Sequence, residues 1–310
     1  MVSNIDGALY REVVGPAGAP LMVFVHPNPM DNAAWMYQLA HLSTWYRCVA
    51  VDLPGYGRSP RARPGVTLSD LAEACWESVE TETDSAGPVV LVGCSIGTNV
   101  VLHMQHLSPE RTAAAVVSGA GYATEKPHLQ RHVDAYRRDG VEYRNAYALQ
   151  DFSPAFRATP LAEWMAGLWT ERNETADVPS ILAMFDTLIQ GDPPWFAEVR
   201  APVLILTGSE DAAHQRAFAL RDVLPDAELI TLLGAGHACQ LEQPLNSTGT
   251  YSSSSTMGHD PLVSIERGRV GHPHWRAEQN RRSCRVSCPS VHSNRRRLRS
   301  DLTSRSGSSR

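Results

Sequence analysis

The sequence predicts an α/β fold, a mainly parallel sheet flanked by helices and interrupted by one inserted helical lid. Three observations carry that prediction. Six short runs, apolar almost throughout, recur between residues 21 and 232 and end at Gly, Pro, Asp or Ser, as strands covered on both faces do. Helical patterns alternate with these runs, which is the order of strand–helix–strand units. One tight Gly-x-Ser-x-Gly turn joins such a run to a helical pattern at residues 93–97.

Taken in order, Asp6-Gly7 reads as a hairpin turn leading into Ala8–Val14. The buried-strand candidates follow: Leu21–Val25, Arg47–Val51, Val89–Val92, Ala114–Val117, Val203–Leu206 and Glu228–Leu232. Helices are expected over Asn32–Leu42, Leu68–Glu80, Ile96–His106 and Ala213–Val223. The second starts after Thr67 and brings Leu68, Leu71, Ala72 and Cys75 to one face. Residues 122–199 break the rhythm. They hold no strand candidate but several helix-like segments, with Trp164, Met165, Leu168 and Trp169, then Ile181, Leu182, Met184 and Leu188. An insertion of that length between two core strands predicts a lid. Because pockets are apolar-lined, Trp35, Trp164 and Trp169 are candidate substrate-pocket residues.

The 310 residues are 43% hydrophobic, 20% charged and 7% aromatic, which suits a soluble globular protein. No window approaches eighteen consecutive apolar residues, so no membrane-spanning helix is expected. Residues 1–20 lack the apolar core of a signal peptide. The six cysteines are too sparse for a disulfide scaffold and are read as reduced thiols, so a cytoplasmic location is expected. The net charge of −5 hides a split: residues 245–310 hold twelve arginines against four acids, residues 1–244 sixteen basic groups against twenty-nine acids. An acidic body repels a phosphate backbone, which argues against nucleic acid as its partner and for a small-molecule substrate.

The domain reading is a catalytic domain over residues 1–244 and a basic tail over 245–310. Fifteen serines and twelve arginines in the tail leave too little apolar surface to offset ordering entropy, so it reads as disordered. The single lysine, Lys126, beside twenty-seven arginines points to a GC-rich gene, and a shifted frame in such a gene yields Arg, Ser, Gly and Pro. A frameshifted or non-homologous terminus is therefore the preferred account. If genuine, the tail could bind anions, including RNA, or zinc through His272, His274, Cys284, Cys288 and His292, whose spacing is not a standard one. No cofactor and no metal is expected in the body.

The chemistry centres on Gly93-Cys94-Ser95-Ile96-Gly97. A serine on a tight strand-to-helix turn projects its hydroxyl above the sheet, and the following helix aims amides at a forming oxyanion. A serine needs a base and the base an orienting acid. Asp211 falls in the loop after Val203–Leu206, with Glu210 as its rival, and His237 follows two glycines after Glu228–Leu232. Ser95, Asp211 and His237 thus share one edge of the predicted sheet. Cys94 and Cys239 read as small buried residues rather than reactive thiols.

In these features residues 8 to about 244 resemble the α/β-hydrolase superfamily, serine-nucleophile branch, lid-containing and esterase- or lactonase-like. His26-Pro27-Asn28-Pro29 stands where the family carries an H-G-x-P oxyanion loop, and Asp52-Leu53-Pro54-Gly55-Tyr56-Gly57-Arg58-Ser59 resembles its D-x-P-G-x-G-x-S loop. Pro27 replaces the usual glycine. Proline has no N–H, so the resemblance nominates the Asn28 and Ile96 amides as oxyanion donors, and Asn28-Pro29 is a candidate cis bond. His26 to Trp35 also faintly resembles the enol-lactonase and haloperoxidase-like branch. A serine at the nucleophile position disfavours haloalkane dehalogenase and epoxide hydrolase chemistry. The resemblance implies a serine hydrolase cleaving a small, largely apolar ester, lactone or thioester through an acyl-enzyme. The alternatives are a non-hydrolytic relative (cofactor-free oxygenase, lyase or ligand-binding protein) and an inactive, C-terminally damaged hydrolase.

Overall fold

Alternation inside the apolar runs sorts the core into two layers. The computed structural model describes residues 4–83, 87–120, 122–146 and 148–253, all within the first, Met1–Ser264, of two units into which the chain divides. Its strands are β1 (Arg11–Val14), β2 (Leu21–Val25), β3 (Arg47–Val51), β4 (Val89–Cys94), β5 (Thr112–Ser118), β6 (Val203–Gly208) and β7 (Ala227–Leu232). They form one sheet in the order β1-β3-β2-β4-β5-β6-β7, parallel except for the antiparallel edge strand β1. Leu21, Val23, Val25, Val49 and Val51 enter one core layer, whereas Met22, Phe24, Cys48 and Ala50 enter the other. Burial on both faces explains why these strands read as unbroken apolar runs.

The helices are α1 (Met36–Leu42), α2 (Leu68–Thr83), α3 (Ile96–Leu107), α4 (Lys126–Asp139), α5 (Glu142–Ala146), α6 (Pro154–Arg157), α7 (Pro160–Asn173), α8 (Val178–Ile189), α9 (His214–Val223), α10 (Cys239–Glu242) and α11 (Pro244–Ser253). Residues of α2, α3 and α9 join the first core layer, and those of α1 and α10 the second. Helices α4 to α8 form the expected insertion between β5 and β6. Its helix starts are legible locally: Ser153, Thr159 and Asp177 accept from the amides of Phe156, Ala162 and Ser180, with a proline in each first turn. Within it α4 packs along α8, and Leu129, Val133 and Tyr136 share a core layer with Ile181, Met184 and Phe185.

Two expectations are corrected. Asp6-Gly7 makes no hairpin: Ile5 bridges to Ala62, Asp6 N–H donates to Arg61, and the following strand pairs with the distant β3. The tail expected from residue 245 starts inside a helix, α11, which packs against α1. Its contact is made by small polar residues: Ser247 and Thr248 are buried, and Gln38 Nε2 donates to Ser247 Oγ at 3.3 Å and to the Gln240 carbonyl at 2.9 Å. A helix seated on serine and threonine carries little apolar period, and Pro244 marks its first turn rather than a stop. Residues 254–310, including the zinc-spaced His272, His274, Cys284, Cys288 and His292, lie outside the described residues.

Candidate active site

The backbone at the end of β4 is forced. Ser95 has φ 55° and ψ −117°, a left-handed conformation that is strained for any residue with a Cβ. The turn leaves no room beside it: a Cβ on Gly93 would meet the Gly97 carbonyl oxygen at 2.3 Å, and one on Gly97 the Val25 oxygen at 2.2 Å. Hydrogen bonds hold the strain, with Ser95 N–H donating to the Ser118 carbonyl at 2.9 Å and Thr98 N–H to the Ser95 carbonyl at 2.9 Å. Ile96 opens α3, so its amide belongs to the unpaired first-turn donors of that helix.

The loops after β6 and β7 meet backbone to backbone. Glu210 N–H donates to the Ala235 carbonyl, and a Cβ on Gly208 would stand 2.2 Å from that oxygen. The contact brings His237 Nδ1 to 3.0 Å from Asp211 Oδ1, while Ala213 N–H donates to the same carboxylate oxygen at 2.8 Å. Glu210, the rival acid, is exposed and makes no such contact. Burial works against the Asp211 charge, yet His237 and the Ala213 amide hold its carboxyl below the usual range. Burial likewise disfavours imidazolium at His237, but the Asp211 carboxylate outweighs it and holds that pKa above the ordinary imidazole value. Gly119, at φ 53°, lies so close to the His237 ring that a Cβ would stand 2.8 Å from Cε1.

Ser95, Asp211 and His237 line one cavity of about 870 Å³ with Asn28 and Ile96. Ser95 and His237 share this cavity without a hydrogen bond between them. The Asn28-Pro29 peptide is cis, and the Asn28 side-chain oxygen accepts from the phenols of Tyr56 and, at 3.0 Å, Tyr136. Behind that loop His26 is fully buried and links two loops, its Nε2 accepting from Leu53 N–H at 2.8 Å and its Nδ1 donating to the Pro27 carbonyl at 2.9 Å. Burial lowers its pKa, and this bonding fixes the neutral tautomer.

The three candidate pocket tryptophans are elsewhere. Trp35 packs on Phe24 in the second core layer, at a ring distance of 5.5 Å, and Trp169 stacks on Phe152 in the same layer. Trp164 is 56% exposed, and none of the three lines the cavity. The second layer demands large side chains to fill it, and the sequence offers no sign of which sheet face a helix will cover. What lines the cavity is partly apolar, with Leu129, Ile181, Met184 and Phe185, and partly charged or hydrogen-bonding, with Arg144, Asp151 and His132. His132 bonds to His128 at 3.1 Å and to Tyr143 at 2.8 Å, and burial above all pushes it down to about 4, so it is neutral. Burial pushes the Cys94 thiol up to about 12 and raises Cys239 well above the ordinary thiol value, so both stay protonated. Among the described residues no three His, Cys, Asp or Glu side chains group to hold a metal, and no helix is long and apolar enough to cross a membrane.

The family model described as "Alpha/beta hydrolase family" matches residues 22–246. A curated relative, the dihydrolipoyllysine-residue acetyltransferase component of the acetoin cleaving system of Pseudomonas putida, is 29% identical over 77% of this chain. The match spans 65% of that relative's own length. Carboxylesterase YbfK of Bacillus subtilis is 25% identical over 78% of this chain and 82% of its own. The solved esterase of Exiguobacterium antarcticum superposes with a TM-score of 0.70 at 20% identity, covering 81% of this chain and 97% of its own.

Proposed function

The chain belongs to the alpha/beta hydrolase family, and we propose from that premise that it hydrolyses carboxylic esters through a Ser95 nucleophile. The observation that supports this most is the strained Ser95 turn sharing a cavity with the His237–Asp211 pair. An esterase and a carboxylesterase stand among the similar proteins.

In this reading Ser95 Oγ attacks the ester carbonyl carbon and gives its proton to His237 Nε2. The carbonyl oxygen becomes an anion held by the Ile96 and Asn28 amides. As the tetrahedral species collapses, the C–O bond to the leaving group breaks and His237 returns the proton to the departing alcohol. Water then attacks the Ser95 acyl-enzyme, again losing its proton to His237, and the carboxylic acid leaves with Ser95 restored. Asp211 holds the imidazole by Nδ1 and stabilises its charge. The α4–α8 insertion supplies much of the cavity wall and serves as the lid, and the catalytic domain extends through α11.

The test is intact mass after a fluorophosphonate, with 4-nitrophenyl butyrate turnover, on the wild type, Ser95→Ala and His237→Ala. The expected result is one adduct mapping to Ser95, suppressed in both variants along with turnover. A folded wild type that takes up no label and turns over no ester overturns the reading.

A further inference from the structure

Of the arginines that line the cavity, one is buried, and the hydrolytic steps do not use it. Arg144, in the short helix α5, is 8% exposed and lines the cavity. Burying a guanidinium is costly unless its donors are met. Here they are met incompletely. Nη2 donates to Asp151 Oδ2 at 2.5 Å, the one carboxylate contact of the group among the described residues, while Nε is buried with no hydrogen-bond partner among them. A bidentate pair would engage the carboxylate with both arms of the guanidinium fork. This one meets Asp151 at a single point.

Its surroundings fit a ligand rather than a second protein acid. Around the guanidinium stand the phenols of Tyr136, Tyr143 and Tyr56. Two of these hydroxyls donate to the Asn28 side chain, on the loop beside Ser95. Asp151 in turn is tied to the base: its carbonyl accepts from Ala238 N–H at 3.0 Å, one residue after His237. The Arg144–Asp151 pair therefore stands in the same cavity as the nucleophile and the base.

We propose that Arg144 anchors a carboxylate carried by the substrate, so that the preferred esters or lactones bear a free carboxylate besides the bond that is cleaved. This rests on the hydrolase reading above and names its substrate class. The apolar wall of Leu129, Ile181, Met184 and Phe185 suits the hydrocarbon between the two ends. Sequence reading expected a largely apolar substrate; the buried arginine makes it amphipathic.

The experiment compares 4-nitrophenyl hemiglutarate with 4-nitrophenyl valerate, matched in length and differing in charge. The wild type is expected to favour the hemiglutarate in kcat/KM, and Arg144→Met to lower the hemiglutarate-to-valerate ratio roughly 10- to 100-fold, the range of a charge-assisted hydrogen bond. Asp151→Asn, which removes the competing acid, raises the ratio and serves if Arg144→Met does not fold. A wild type that prefers valerate, a ratio unchanged in Arg144→Met, or a ratio lowered in Asp151→Asn overturns the proposal. A separate arm needs no turnover. Calorimetry on Ser95→Ala with monomethyl and dimethyl glutarate is expected to show the monoanion binding at least tenfold tighter, a gap that Arg144→Met closes. If no ester is hydrolysed yet this gap appears, the hydrolase reading fails and the carboxylate site stands. Equal binding of the two glutarates sinks the site whatever the enzyme does.

Discussion

The edge of the sheet and the helical insertion build the same cavity by opposite means. At the edge, backbone does the placing: Ser95 is held at φ 55°, Gly93 and Gly97 leave no space for a methyl, and Gly208 and Gly119 let neighbouring loops and the His237 ring approach. In the insertion, side chains do the placing, through an apolar seam between α4 and α8 and the linked polar groups of Tyr136, Tyr143, His132, Arg144 and Asp151. The first kind of construction tolerates almost no substitution. The second can be rebuilt by changing side chains, and with it the shape and polarity of the cavity wall.

The comparison breaks most sharply at Ser95. Ser95→Gly removes the proposed nucleophile and also relieves the left-handed backbone. Ester turnover is expected to fall by roughly 10⁴-fold or more, while stability rises by about 1 kcal/mol. Turnover assays and urea titration check the two halves, and a loss of stability would mean that the turn is unstrained.

Asp211→Asn tests the same edge through pH. With His237 as the proposed general base, wild-type kcat/KM is expected to fall as pH drops through a pKa held above the ordinary 6.5 or so of imidazole. Removing the carboxylate removes the cause of the elevation. The acid limb then moves to lower pH, and kcat drops by roughly 10³- to 10⁴-fold. A pH–rate profile whose limb stays in place would assign the elevation elsewhere.

The insertion answers in stability. Trp169→Ala empties a site in the second core layer and is expected to cost about 3–5 kcal/mol by thermal or chemical melting. Its kcat/KM at low temperature stays within a few-fold of wild type, because the ring is outside the cavity. A selective loss of turnover there would return Trp169 to the pocket. Smallest is Thr159→Ala, which deletes the side-chain cap on α7 and costs about 1 kcal/mol. Melting curves resolve it, and no change would mean that water replaces the cap at no cost.

Legibility in the sequence follows the same division. The buried strands could be read because burial on both faces writes itself as an apolar run. Ser95, Asp211 and His237 could be placed because loops at the ends of parallel strands converge by topology. The edge strand is harder to read: β1 is half exposed and its partner β3 lies beyond β2, so the local pattern at Asp6-Gly7 suggests a hairpin that the long-range pairing overrides. Helix α11 was missed because serine and threonine make its contact. The pocket was misread because composition shows that tryptophans will be buried without showing where. Arg144 gives no signal at all, since nothing in a linear sequence distinguishes a buried arginine from a solvated one.

The insertion has a further consequence, in the entropy of chain closure. Parallel pairing of Ala115 with Val203 joins β5 to β6 across a connection of roughly eighty residues. Relative to a crossover of about eight residues, closing that loop costs only about 2 kcal/mol more, because the penalty grows with the logarithm of length. The sheet can therefore carry a long, replaceable segment at this junction with little loss of stability. It is slower to assemble, since β6 must find β5 across that distance before the pair is rewarded.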